Sequence, residues 1–184
     1  MKSLITLLVI IFAAILFSGC PYSSTVPVDK PDIKVESKYF GIWSDAKETN
    51  NRILISKFND FEYRIAQIPF PSTNEDLEGN KDLKKSRNDK ETTDTIIYIG
   101  HISKIKDFYF LNLIQTGENA FSASEYDIYR IEFINNNEIE LTEITSNIKE
   151  KFDNSGDLKN YIEKYMDSGI SFFYGAETTY IKEK

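Results

Sequence analysis

One cysteine, one histidine and one tryptophan in 184 residues set the first limits on this chain. The single cysteine, Cys20, forbids an intramolecular disulfide, so its thiol has no structural partner to occupy it. His101 stands alone, so a metal site built on several histidines is excluded. A serine, histidine and acid arrangement around it lacks a Gly-x-Ser-x-Gly turn to carry the nucleophile, and no glycine-rich phosphate loop occurs. The expected role of His101, beside Gly100, is that of a packed or edge residue of a strand. The string Asp153-Asn154-Ser155-Gly156-Asp157 begins like a calcium loop, but Leu158 stands where such a loop needs glycine and Lys164 where it needs the closing glutamate. The many carboxylates show no spacing that marks an acid and base pair. Basic residues are in deficit: the formal net charge is −7, which argues against nucleic acid and against adhesion to anionic lipid. No stretch repeats at the period of a solenoid or propeller. We therefore expect no catalytic residue, no metal and no cofactor.

Long apolar runs are also scarce. One extends from Leu4 to Phe17, broken only by Thr6 and preceded by Lys2. A membrane span takes about 20 apolar residues, whereas a shorter run followed by small residues reads as the core of a signal sequence. The run ends in Phe17-Ser18-Gly19-Cys20, and in these residues the chain resembles a bacterial lipoprotein precursor with a lipobox. The resemblance implies a signal peptide over residues 1–19, cleavage between Gly19 and Cys20, a diacylglycerol on the Cys20 thiol and acylation of the new amino terminus, with palmitate as the expected label. It further implies a protein lipid-anchored in the cell envelope. Pro21 occupies the position where Asp favours inner-membrane retention, so the outer membrane is the expected address, on its periplasmic face. The phrases Phe110-Leu111-Asn112-Leu113, Ile144 to Phe152 and Phe172 to Ile181 are similar to those of small uncharacterised lipoproteins of Gram-negative bacteria.

Removing 19 of the 184 residues leaves 165, one ordinary domain, and takes Lys2 with it, so the charge becomes −8. Residues 20–38 read as the lipidated Cys20 and an extended tether, since Pro21, Pro27 and Pro31 punctuate small and polar residues. At about 3.1 Å per residue the tether reaches roughly 50 Å. The folded domain spans 39–184. Between Ser72 and Thr93 charges of both signs crowd a segment with few apolar residues, the composition of a mobile loop.

Strand patterns fill most of the rest. Arg52 to Phe58 and Phe61 to Gln67 flank Asn59-Asp60 as a hairpin. Further strands are expected over Thr95 to Ser103, Asp107 to Ile114, Tyr126 to Ile134 and Glu138 to Ile144, the last two joined at Asn135-Asn136-Asn137. Ser171 to Tyr174 and Thr178 to Lys182 close the chain. Helices are expected over Thr145 to Phe152 and Ser155 to Met166, the second with Ser155 as N-cap and an apolar face through Leu158, Tyr161, Ile162, Tyr165 and Met166. The fold class that follows is mainly β: an antiparallel meander or a barrel of about eight strands with one or two C-terminal helices, closure removing the exposed edges.

Gly41-Ile42-Trp43 at the first strand, and a helix before a final strand, resemble the lipocalins. In that family the tryptophan closes the barrel base against an arginine near the end of the chain, where this sequence offers Lys182 and Lys184. The resemblance implies Gly41, Trp43, Tyr63, Tyr129 and Phe133 as barrel-base or ligand-facing residues. Alternation puts Phe61, Tyr63, Ile65, Tyr129, Ile131, Phe133, Ile139 and Leu141 inside, and residues of this bulk predict a small cavity with Trp43 as a core plug away from any ligand. Two functions stay open: a non-catalytic structural or protein-interaction module with an envelope protein as partner, and a lipocalin-like carrier or sensor of a small apolar ligand. Both hold the membrane through the lipid on Cys20.

Overall fold

The computed structural model describes residues 22–48, 50–68, 96–117, 125–144, 148–166 and 174–184. The signal sequence, Gly19 and Cys20 and the loop expected at 72–93 lie outside these residues. Nine strands form one sheet: β1 (Ser23–Ser24), β2 (Gly41–Asp45), β3 (Arg52–Lys57), β4 (Tyr63–Ile68), β5 (Ile97–Ile105), β6 (Phe108–Thr116), β7 (Tyr126–Asn135), β8 (Glu138–Ile144) and β9 (Tyr174–Lys182). Each strand from β2 to β9 pairs antiparallel with the next, and β9 returns to β2 through Trp43 opposite Lys182 and Asp45 opposite Tyr180. The eight strands therefore close as an up-and-down barrel of the lipocalin-like kind, with β1 as one extra strand that pairs with the start of β7. A single helix among the described residues, α1 (Ser155–Tyr165), precedes β9.

The strands follow from alternation. On β7, Ile131 faces Leu141 of β8 and Phe133 faces Ile139, so one parity of each strand turns inward. Both hairpins form where expected, with one difference. The β3–β4 connection runs from Phe58 to Glu62, because the Asn59 side chain accepts the Phe61 N–H and the Glu62 carbonyl accepts from Phe58 and Asn59. That local turn lifts Phe61 out of the strand, and it is 38% exposed instead of inward.

Two apolar cores result. The first fills the barrel around Trp43, Ile55, Ile65, Leu111 and Ile131. The second lies outside the wall: Phe110, Ile128 and Ile105 on the outer faces of the strands pack against Leu158 and Ile162 of α1 and against Tyr22 and Val28. Residues 22–36 are thus a packed strap, where the composition predicts a loose tether. The Tyr22 N–H donates to the Ile144 carbonyl at 2.7 Å, and Val28 is fully buried. Its N–H donates at 2.7 Å to Asn112 Oδ1, while Asn112 Nδ2 donates to Ser103 Oγ at 2.9 Å. Asn112, polar and fully buried, gives this outer face a socket for backbone.

Around α1 the expectations shift slightly. Asn154, and not Ser155, is the N-cap, accepting the Asp157 N–H at 2.9 Å. The helix expected over Thr145 to Phe152 does not form over its described part, 148–152. Carbonyls there serve the strap instead: Glu150 accepts from the Tyr22 hydroxyl and Phe152 from Thr25 Oγ1, while Ile148 is buried in the second core.

Candidate functional site: a cavity inside the barrel

The two ends of the barrel differ. At the base, where the tight hairpins turn, a short 3-10 segment (Ser37–Tyr39) carries Tyr39 into the interior. Its ring stacks on Phe133 with centroids 4.4 Å apart, and Phe133 meets Tyr109 edge-on at 5.8 Å. Trp43, fully buried, donates its indole N–H to the Tyr39 carbonyl at 2.9 Å. These rings fill the base.

Above them a cavity of about 250 Å³ remains. Its wall is mostly apolar, with Ile53, Ile65, Ile102, Leu111, Leu113 and Ile131 among the lining side chains. Toward the other end, the mouth, the lining turns polar with Asn51, Gln67 and Glu143. Ligand pockets commonly span about 300–1,000 Å³, while a dry apolar cavity near 150 Å³ accepts benzene. The space suits a small apolar molecule.

Of the residues expected to face a ligand, Tyr63, Tyr129 and Phe133 line this cavity, whereas Gly41 and Trp43 do not. Trp43 is fully buried. Gly41 begins β2 with a φ of +133°, a backbone that favours glycine. The Tyr63 hydroxyl accepts the Glu36 N–H at 3.0 Å and so ties the strap to the base. Tyr98, Tyr180 and Glu143 are lining residues that the sequence reading missed. Extending the alternation one step would have found Glu143, two residues past Leu141, since Tyr129 and Glu143 are register partners.

The hydroxyls near the mouth sit in an acidic, desolvated setting. Burial first, then the Asp127 and Glu143 carboxylates, push the Tyr129 phenol far above its usual range. Burial and Asp127 raise Tyr98 in the same sense. Asp127 is itself raised by burial and by Glu125, and Glu143 by burial and by Asp127 against a lowering hydrogen bond from the Ala176 backbone. The cavity wall thus holds phenols and, toward the mouth, the Glu143 carboxyl, whose pKa burial raises. Asp45 behaves oppositely: burial works to raise it, but the N–H groups of Lys47 and Glu48 and the Asn51 amide outweigh that and hold it low.

His101 lies outside the barrel, under the strap. Its ring is buried, with Nε2 2.7 Å from the Asp29 carbonyl oxygen, an acceptor, so Nε2 carries a proton. Among the described residues no three His, Cys, Asp or Glu side chains converge as metal ligands. No family model, curated protein or solved structure matches the chain.

Proposed function

We propose that this protein is a lipid-anchored, non-catalytic component of the cell envelope, held through Cys20 at the periplasmic face of the outer membrane, whose barrel carries or senses a small apolar ligand. The observation behind the ligand reading is the cavity itself: about 250 Å³ of space walled by mostly apolar side chains, plugged by aromatics at the base and polar at the mouth. A barrel of eight strands has room either to be filled by its own side chains or to hold one small guest. Space left above a dense aromatic plug favours the guest. The lipidation reading is supported by the residues Phe17 to Cys20 and by the lone thiol.

Two measurements test the two halves. Titration of the domain with the apolar fluorophore N-phenyl-1-naphthylamine should give saturable one-to-one binding, lost in Ile102→Phe, which fills the cavity from its wall. Absence of saturable binding by the wild-type domain would refute the carrier role. Labelled palmitate should enter the full-length chain and not Cys20→Ser; equal labelling of both rejects the anchor.

A structural or protein-interaction role is the second reading. Phe58 and Phe61, 57% and 38% exposed, stand together on the β3–β4 turn at the base. Loss of an envelope crosslink on changing both to serine, with probe binding intact, would favour that reading.

A further inference from the structure

We infer that the mouth of the barrel faces the membrane in which Cys20 is anchored, so that the bilayer is the source from which the cavity is filled. The inference rests on the lipid anchor and the ligand cavity proposed above, and adds the orientation that joins them.

The strap decides it. Only Pro21 separates Cys20 from Tyr22, so the two residue steps give a covalent reach of roughly 7 Å at about 3.3–3.6 Å per residue. Tyr22 is fixed: its side chain is buried, and its N–H is bonded to the carbonyl of Ile144, the last residue of β8. Ser23 and Ser24 then run toward the mouth, paired antiparallel with Asp127 and Tyr126 at the start of β7, and Ser23 Oγ donates to Glu125 at 2.8 Å. The end of β8 and the start of β7 both belong to the mouth, the end at which Asn51, Gln67 and Glu143 line the cavity. From there the strap descends the outer wall. Val28 is held by Asn112, the Asp29 carbonyl by His101, and the Asp29 carboxylate by Lys159 at 2.5 Å. At the base, Val35 N–H donates to the Asp60 carbonyl and Glu36 N–H to the Tyr63 hydroxyl.

A tether that left the domain at Lys38 would have started from the base and could have held the barrel well clear of the lipid. A strap held at several levels of the wall instead moves the point of departure to Tyr22, on the outer wall beside the last residue of β8 at the mouth end. The anchored chain then has almost no slack with which to turn the mouth away. An apolar guest leaving the bilayer has a short path to the apolar interior, past a rim that carries Glu125 and, inside it, Glu143.

The test uses the full-length, lipidated protein in vesicles of phosphatidylethanolamine and phosphatidylglycerol that carry an energy-transfer acceptor lipid. A donor dye is placed on Lys47→Cys at the mouth or on Asn136→Cys at the base, both exposed positions. About eight residues per strand at 3.3 Å, tilted by about 40°, separate the two dyes by roughly 20 Å along the axis. Transfer should be several-fold stronger from position 47. Inserting a Gly-Ser linker of about twelve residues between Pro21 and Tyr22, with an r.m.s. reach of roughly 20 Å, should bring the two positions to near-equal transfer. Equal transfer from both positions in the uninterrupted chain, or stronger transfer from position 136, overturns the orientation. Failure of the anchor itself shows separately, as protein that does not float with the vesicles, and failure of the cavity as absence of probe binding by the soluble domain.

Discussion

The Lys182 ammonium lies 5.7 Å from the centre of the Trp43 ring and donates at 2.7 Å to the Lys38 carbonyl oxygen. Trp43 and Lys182 are also register partners across the β2–β9 seam that closes the barrel. A cation on the face of the tryptophan thus joins β9 to β2. Lysine serves here because its second contact is a single carbonyl oxygen, which a compact ammonium satisfies and a planar fork is not required to span.

The stability of the seam should follow that geometry. Lys182→Met removes a cation–π contact worth about 0.5–1 kcal/mol at a partly exposed site and a hydrogen bond worth about 0.5–1.5. Its urea midpoint should correspond to a loss of about 1–2.5 kcal/mol, whereas Trp43→Ala should cost about 3–5 kcal/mol by opening the base. Equal and negligible effects of both changes would show that the base is held by something else.

How far these features could be read in advance depends on whether they are local. Alternation along Tyr126 to Ile144 is a property of neighbouring residues, and both β7 and β8 appear within a residue of their expected limits. Phe61 misleads because an Asn59 side chain overrides the strand pattern over two residues. The strap misleads more thoroughly. Its Pro and Ser content is that of a tether, and what packs it is remote: Asn112 on β6, His101 on β5 and Lys159 on α1. Parity names most of the cavity wall, yet no pattern in the sequence says how much space the inward side chains leave.

His101 makes strap attachment sensitive to pH. Burial lowers its pKa below the ordinary 6.5, against smaller raising contributions from the Asp29 carbonyl and nearby carboxylates. For a base whose folded pKa is depressed, the unfolded chain binds the proton first, so its contribution to stability is full above about pH 6.5 and declines as pH falls toward the folded value. Asp127 and Glu143, raised in the fold, work in the opposite sense, their penalty easing on acidification. The comparison that isolates the ring is His101→Gln, which keeps a donor for the Asp29 carbonyl. Going from pH 7.5 to 5.5, wild type should lose more stability than the variant in matched urea titrations. An identical pH response would remove His101 from the account.

The segment between β4 and β5 should be dispensable for folding. Ala66 is already paired with Ile97, and the Gln67 N–H donates to the Ile96 carbonyl at 2.9 Å, so the two strand ends meet without help from the intervening chain. Replacing residues 72–93 by a short Gly-Ser bridge shortens the loop, and closure entropy changes only logarithmically with length, by about 1 kcal/mol here. Thermal unfolding should stay cooperative, with a midpoint shifted by a few degrees at most. Loss of cooperativity would mean that the deleted residues pack on the barrel.

Asn112 offers the sharpest separation between a strap and a tether. Its side chain is fully buried on the outer face of β6, where Phe110 and Ile128 are apolar neighbours in the same core. Were the 22–36 segment loose, replacing this amide by leucine would exchange a buried polar group for an apolar one of similar size and would be neutral or stabilising. With the strap in place the outcome reverses. Asn112→Leu leaves the Val28 N–H buried without its acceptor and takes a partner from Ser103 Oγ, each a desolvated group that costs about 1–3 kcal/mol when unpaired. The expected result is a loss of roughly 2–6 kcal/mol in chemical denaturation from those two groups together, accompanied by faster proteolytic cutting between Thr25 and Lys34 under native conditions. Cavity binding of the naphthylamine probe should persist, because Asn112 faces away from the interior while Leu111 and Leu113 on either side line it. A stabilised Asn112→Leu, with the strap no easier to cut, would return residues 22–36 to the role of a tether and free the mouth to point anywhere.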